Sequence, residues 1–472
     1  MKYENLHDGE SFPAKEKNDA GEVSYPLTLQ QLDFWEEFSF HPDEPVSTVA
    51  HYVDIRGDVD VEALARAVKS VVDEADVLSI RFLKDSMGNG VRQCLDDGCR
   101  PVVSVVDLRG SSTPMDDALQ IMNEDCSSRL DLLRDPVSRT MIIRVSDDHC
   151  IWYLRSHHIV VDGFSMALME KRCGALYGYF RGKEPAGAPF GRLEAFLEEE
   201  RSYRTSDRHA RDGRYWQGLL SGGCAPALLD KADEDYGQEG HHDSRRLDDH
   251  LIRRLRDFSD DLMATWPDTL VALSILYLSS MGVVADCDKA CQGASDNDVI
   301  WIPYMGRWGS VAANIPALVV NILPFRAVMD GKASLGEYMA STYRRLNEMR
   351  RHGRYRVEQM ALDRSVPAGR RFFFSPLINV LPFSGSRFQG CTSESRVLAA
   401  GPGDGFNMTF RSAEDGSGLF MQVDVDERSM TQSRLLDVCV GFQPFLEAAM
   451  TPGRLDGPLS NLLGRAIRKA RS

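Results

Sequence analysis

The chain has 472 residues, 43% of them hydrophobic, enough to bury a sizeable core and, at ordinary domain sizes, to fill two or three domains. A formal charge of −15 argues against a general nucleic-acid binder and is compatible with a cationic ligand. Ten cysteines with no CxxC pair exclude a small disulfide scaffold and suit reduced thiols in a cytoplasm; Cys287 and Cys291 lack a second ligand pair at zinc spacing, so no metal is expected. The first 23 residues are polar, with no apolar run of signal-peptide length, and read as a loosely ordered tail. Val61 to Val72 carries Leu64, Ala67, Val68 and Val71 at helical spacing. Met141–Val145, then Asp147-Asp148, then Ile151–Ser156 read as a hairpin, and a helix is expected over Ser165–Phe180 with Leu168, Met169, Cys173, Leu176 and Phe180 turned inward. From Gly182 to Gly223 the composition turns to GKEPAGAPFG and then to a charged helical stretch, Leu193–Trp216, better suited to connecting two halves than to filling a core. The expected boundary lies near residue 215, giving domains 24–215 and 216–472. The second half resumes with a helix over Leu270–Ser280 and strands over Val299–Pro303, Leu318–Leu323 and Leu419–Val425. Both halves are mixed α/β, and a cleft between two such halves is a common place for a ligand. No internal repeat is present, and the longest uncharged stretches, Thr269–Ala285 and Gly309–Phe325, fall short of the ~18 apolar residues of a membrane span.

The segment Arg155-Ser-His-His-Ile-Val-Val-Asp-Gly163 carries the chemistry: a strand ending in His157-His158, then a turn containing Asp162-Gly163, then a helix. Adjacent strand residues face opposite ways, so one imidazole can meet a substrate while its neighbour packs behind it. Asp162 is placed to make a buried ion pair that pins the turn, and Gly163 to allow a tight backbone. A histidine near its ordinary pKa can take or relay a proton at neutral pH. On spacing alone, a surface or metal-associated histidine pair competes with this reading.

His157-His158-Ile-Val-Val-Asp162-Gly163 resembles the HHxxxDG motif of nonribosomal peptide synthetase condensation domains, and Tyr25-Pro-Leu-Thr-Leu-Gln-Gln-Leu-Asp-Phe-Trp35 resembles their opening motif. Trp301–Asn314, His352–Gln359, Ser375–Phe383 and Gly405–Arg411 resemble the free-standing amide synthase branch known from vibriobactin, a catechol siderophore; Val49-Ala-His-Tyr-Val53 is also similar to the first condensation domain of catechol-siderophore synthetases. The resemblance implies an α/β fold of two chloramphenicol-acetyltransferase-like subdomains, a V-shaped pseudo-dimer with the active site in the cleft between them. It implies transfer of an aryl group, 2,3-dihydroxybenzoyl in that branch, from a carrier-protein phosphopantetheine thioester to a soluble amine or polyamine.

On that resemblance His158 is the catalytic residue, as general base or as an orienting group. His157, Asp162 and Gly163 are structural parts of the site, Gly163 leaving room for the pantetheine arm, and Arg307 is the candidate ion-pair partner of Asp162. Trp308 and Asn379 fall at substrate-cleft positions; the plainer readings are a core tryptophan and a satisfied strand amide. One departure stands out: in Asp76-Val-Leu-Ser-Ile-Arg-Phe82, Ser79 occupies a place where the family commonly has arginine, so any bracing by that arginine must pass to Arg81 or Arg307. Six arginines within Arg344–Arg356 suggest a docking surface for an acidic carrier, with Arg350 and Arg351 as candidates, against the plainer reading of a solvated helix face.

The acyl group arrives activated as a thioester, so neither ATP nor a permanently bound cofactor is expected; the phosphopantetheine comes with an aryl or peptidyl carrier protein. A lone monomeric enzyme is expected in the cytoplasm, with no membrane or nucleic-acid partner. Two other readings stay open: condensation onto an alcohol or a carrier-bound aminoacyl group, and a non-catalytic recruitment module, which would be expected to lose His158. Epimerisation fits less well.

Overall fold

The computed structural model describes residues 16–17, 23–85, 90–222, 225–233, 240–284, 299–382, 385–401, 403–412 and 418–462. The 1–23 tail and the Cys287/Cys291 pair lie outside these residues, except Val23 and Glu16–Lys17, the latter a short strand paired with Val23 and Ser24. In chain order the elements run β1 (Glu16–Lys17), β2 (Val23–Pro26), α1 (Leu29–Phe40), β3 (Thr48–Gly57), α2 (Val61–Glu74), β4 (Ile80–Lys84), β5 (Val91–Leu95), β6 (Ser104–Asp107), α3 (Pro114–Cys126), β7 (Ser138–Arg144), β8 (His149–His157), α4 (Gly163–Phe180) and α5 (Leu193–Arg204). They continue with α6 (Asp207–Ser221), β9 (Leu228–Asp230), β10 (His241–Leu247), α7 (Asp249–Asp261), α8 (Trp266–Ser280), β11 (Val299–Tyr304), β12 (Asn321–Arg326), α9 (Leu335–Arg351) and α10 (Val357–Asp363). The last are β13 (Arg370–Phe372), β14 (Leu377–Leu381), β15 (Cys391–Ala400), β16 (Phe406–Ser412), β17 (Leu419–Val425) and α11 (Gln432–Ala449).

Two compact units result, and neither is a continuous stretch. One comprises residues 1–206, 305–320 and 385–402; the other comprises 207–304, 321–384 and 403–472. The single boundary expected near residue 215 gives way to a first change at 206/207 and two later returns to the first unit. The second return has a plain cause: β15 pairs antiparallel with β3 from Cys391↔Gly57 to Ala400↔Val49, a partnership across more than 330 residues that no local signal announces.

The first unit is built on a five-stranded sheet ordered β15-β3-β8-β7-β6. Both of its faces are covered, so β3 reads as a nearly continuous buried run rather than an alternating one. Val49, Val53 and Ile55 join Trp152, Leu154 and the inner faces of α2 and α4 in one core, while Ala50 and Tyr52 point the other way, towards α3. Helix α2 forms because Leu64, Ala67, Val68 and Val71 share a face and Asp60 caps its first turn by accepting from the Ala63 amide. Each fully buried Val or Leu of this kind contributes about 1.5–3 kcal/mol.

The charged stretch over 193–216 is not a bare connector. It breaks at Thr205–Ser206 into two amphipathic helices: α5 buries Leu193, Phe196 and Tyr203 in its unit, and α6 buries Trp216 and Leu220 in the other. In the second unit a six-stranded sheet, β10-β17-β16-β14-β11-β12, packs on α8, which is apolar on all sides and buried. Among the described residues no single helix is long and apolar enough to cross a membrane; α7 and α8 pass such a test only together, bent by 100° at their junction.

The strand expected over Leu318–Leu323 begins later, at Asn321. The amides of Val319 and Val320 both donate to Asp162 Oδ2 at 2.9 Å, so they are committed to a side chain before the ladder begins.

Candidate active site

Strand β8 ends at His157, and the pairing with the β3 side extends one step further, His158 N donating to the Ser47 carbonyl at 2.8 Å. This fixes the backbone from which the two imidazoles diverge. His157 is buried, and its Nδ1 accepts from the Ile159 amide at 3.1 Å, which commits that nitrogen to the turn. Burial first, then the neighbouring His158 and Arg155, pushes its pKa down to about 3, so His157 is neutral at working pH and acts as a fixed part of the scaffold.

His158 is differently placed. Its ring stacks on Phe34 of α1, centroids 4.8 Å apart and planes within 15°, which sets its orientation. Nδ1 is sealed from solvent and has no hydrogen-bond partner among the described residues, leaving Nε2 as the ring nitrogen open to a reactant. Burial lowers the His158 pKa; the Asp162 charge and the nearby carbonyls of His158 and Val161 only partly oppose this, although neither carbonyl reaches hydrogen-bond geometry with Nδ1. The imidazole is therefore neutral near pH 7, the state able to accept a proton. Gly401, the residue after β15, crosses beside the ring: at φ +79° it is in the left-handed region, and a Cβ there would lie 3.0 Å from His158 Cδ2.

Asp162 does not face a reactant. It caps α4, and Oδ1 accepts from the Ser165 amide and hydroxyl, both at 2.8 Å, and from Arg307 Nη2 at 3.0 Å. Oδ2 takes Arg307 Nη2 at 3.1 Å together with the Val319 and Val320 amides. Burial alone would raise its pKa, but the Arg307 charge and then the Val319 and Ser165 amides outweigh it and hold the carboxyl below its ordinary value. Arg307, equally buried, donates from Nη1 to the carbonyls of Ala312 and Ile315, each at 2.7 Å, and from Nη2 to the Ser165 hydroxyl at 3.0 Å and the Ala317 carbonyl at 2.8 Å, while its Nε has no hydrogen-bond partner among the described residues. This ion pair, together with the Val319 and Val320 amides on Oδ2, ties the turn after His158 to the 305–320 segment. Ser79 is buried and turned back onto the Asp76 carbonyl, and Arg81 pairs with Asp96 at 2.8 Å, so the bracing falls to Arg307.

Gly163 is not required by the backbone, because its φ is not positive. A Cβ at this exposed position would meet nothing within 4 Å, so what the residue provides at the start of α4 is open space. Trp308 is 88% exposed and is no core residue. Asn379 belongs to the second unit: it lies half-buried on β14 opposite Thr409, and its carboxamide makes no hydrogen bond among the described residues, unlike a satisfied strand amide. Arg350 and Arg351 end α9 in that same unit. The sequence reading assigned nothing to Phe34, Ser165 or Gly401. Phe34 lay inside the opening motif and could have been singled out there; no signal marked Gly401, 243 positions from the histidine it touches.

The condensation domain family model matches residues 22–446. The chain belongs to that family. This condensation domain superposes on the crystal structure of VibH, an NRPS condensation enzyme, with a TM-score of 0.82 and 31% identity, covering 92% of this chain and all of VibH. It is 30% identical over 388 residues to enterobactin synthase component F of Escherichia coli (strain K12), covering 80% of this chain and 28% of that protein. It is 29% identical over 420 residues to a dimodular nonribosomal peptide synthase of Bacillus subtilis (strain 168), covering 88% and 17%. The chain therefore spans less than a third of the length of these curated relatives. The family makes it an amide-bond-forming acyltransferase, and condensation domains draw their acyl groups from carrier-protein thioesters.

Proposed function

We propose that this condensation domain acts as a free-standing amide synthase, transferring an aryl group, 2,3-dihydroxybenzoyl, from a carrier-protein phosphopantetheine thioester to a soluble amine or polyamine. The observation that carries the reading is the match over the whole of VibH, together with the resemblance of residues 301–314 and 375–383 to the amide synthase branch. His158 Nε2 takes the proton released as the amine nitrogen bonds to the thioester carbonyl, and the pantetheine thiolate departs. A primary alkylamine has a pKa of about 10.4, so on the order of one molecule in a thousand is nucleophilic at pH 7. A neutral base beside the carbonyl and the shared residence of both reactants offset that scarcity. Trp308, exposed next to Arg307 in the first unit, is proposed to contact the acceptor.

The purified chain, incubated with dihydroxybenzoyl-loaded aryl carrier protein and a panel of polyamines, is expected to yield arylamide by intact mass. A second reading, condensation onto a carrier-bound aminoacyl group or an alcohol, is favoured by the multi-part synthases among its relatives. Product only with those acceptors would decide for it.

Carrier docking is proposed at the end of α9, and the two arginines there differ. Arg350 is held by Asp268 within its own unit, whereas Arg351 is three-quarters exposed and its guanidinium, among the described residues, pairs with Glu348 one turn away, a contact worth little. Replacing Arg351 with Glu is expected to raise the apparent KM for the carrier, leaving kcat at the parent value; an unchanged KM removes α9 from the docking surface.

A further inference from the structure

Beneath α4, on the sheet face that carries His158, the first unit buries a polar pair that the chemistry above does not use. His51 of β3 and Glu170 of α4 meet at 3.0 Å, Nδ1 to Oε1, with 13% and 7% of their side chains exposed. Their surroundings are apolar: Val49 and Val53 on the same face of β3, Leu154 across from His51, and Met166, Met169 and Cys173 on α4. Such a pair costs more to bury than hydrophobic side chains of similar size would, so packing alone gives no reason for it.

Two atoms of the pair remain unused. His51 Nε2 and Glu170 Oε2 have no hydrogen-bond partner among the described residues, yet neither is sealed from solvent as His158 Nδ1 is. The bodies of both side chains are buried while these two polar atoms still face accessible space. With the Nδ1–Oε1 bond made, His51 Nε2 and Glu170 Oε2 lie free for further polar partners, an arrangement suited to hydroxyl groups, which can both donate and accept.

The register places the pair relative to the reaction centre. His158 N bonds to Ser47 O, and His51 lies four residues further along the same strand, about 13 Å at the usual rise. Val49 and Val53, on the same face of β3 as His51, belong to the core against which Phe34, the ring stacked on His158, also packs. A group extending from a thioester carbonyl at His158 along the sheet arrives at His51 and Glu170.

We propose that His51 and Glu170 form the far end of the acyl-donor subsite and recognise the phenolic hydroxyls of an aromatic acyl group. This rests on the proposed transfer of an aryl group and names the atoms that select it. The test compares carriers loaded with 2,3-dihydroxybenzoyl, benzoyl and octanoyl groups, all with one amine acceptor, for the parent, Glu170→Gln and His51→Leu. The parent is expected to favour dihydroxybenzoyl over benzoyl in kcat/KM by roughly 10- to 100-fold, the worth of a hydrogen bond to a charged group. In both variants that ratio collapses towards one. A parent with no preference between the two aryl groups overturns the proposal without any variant, so poor folding of either variant cannot shelter it. Equal losses on both aryl donors reveal a purely structural pair and also overturn it, while aryl transfer itself stands. Octanoyl transfer with no aryl transfer overturns this inference and the proposed function together.

Discussion

His158→Ala lowers kcat for amide formation by two to four orders of magnitude, the usual worth of a positioned proton acceptor, while the melting temperature stays near that of the parent. Folding is expected to stay intact because the imidazole contributes little to it: one ring stacked on Phe34 and no side-chain hydrogen bond among the described residues. The pH profile separates a base from a merely space-filling group. Because burial holds the His158 pKa below 6.5, the acidic limb of kcat/KM lies below pH 6.5; above it the imidazole is neutral and competent, and as pH falls through the lowered pKa activity is lost. Stopped-time product assays across pH 4.5–8 would show the limb. The ratio of parent to variant removes the rise both share from deprotonation of the free amine; a limb above 6.5 in that ratio, or a variant within tenfold of the parent, rules out proton transfer at this residue.

What could be read from the sequence is what lies close together along the chain. His157, His158, Asp162 and Gly163 fall within seven positions, and the strand, turn and helix that carry them follow from local patterning. The partners of these residues are remote. Arg307 stands 145 positions from Asp162 and could be named only through family resemblance, while Gly401 and the His51–Glu170 pair come together solely through the β15–β3–β8 order and the packing of α4. The two clearest misreadings have one origin. Apolar patterning carried the β12 strand back to Leu318, where the backbone is instead drawn to Asp162, and charge patterning made α5 and α6 a linker although Phe196 and Trp216 are core residues. In each case a long-range partner overrode a local pattern.

The Asp162–Arg307 pair is expected to be worth more to the fold than to any substrate, and the double-mutant cycle shows which. Arg307→Ala strands a buried carboxylate and Asp162→Ala strands a buried guanidinium, each costing about 3–5 kcal/mol, or roughly 6–20 °C of melting temperature for a unit of this size. Asp162→Ala should be the worse of the two, because it also removes the cap of α4 and leaves the Ser165, Val319 and Val320 amides without their acceptor. Arg307→Lys should not restore stability, since one ammonium cannot reach the carbonyls of Ala312, Ile315 and Ala317 while also meeting Asp162. The double variant Asp162→Ala/Arg307→Ala should cost less than the two single changes added together, because no uncompensated charge remains. Urea unfolding of the four proteins measures this directly. If the single effects simply added in the double variant, the two residues would be acting separately, and the turn after His158 would have to be held by something other than their pairing.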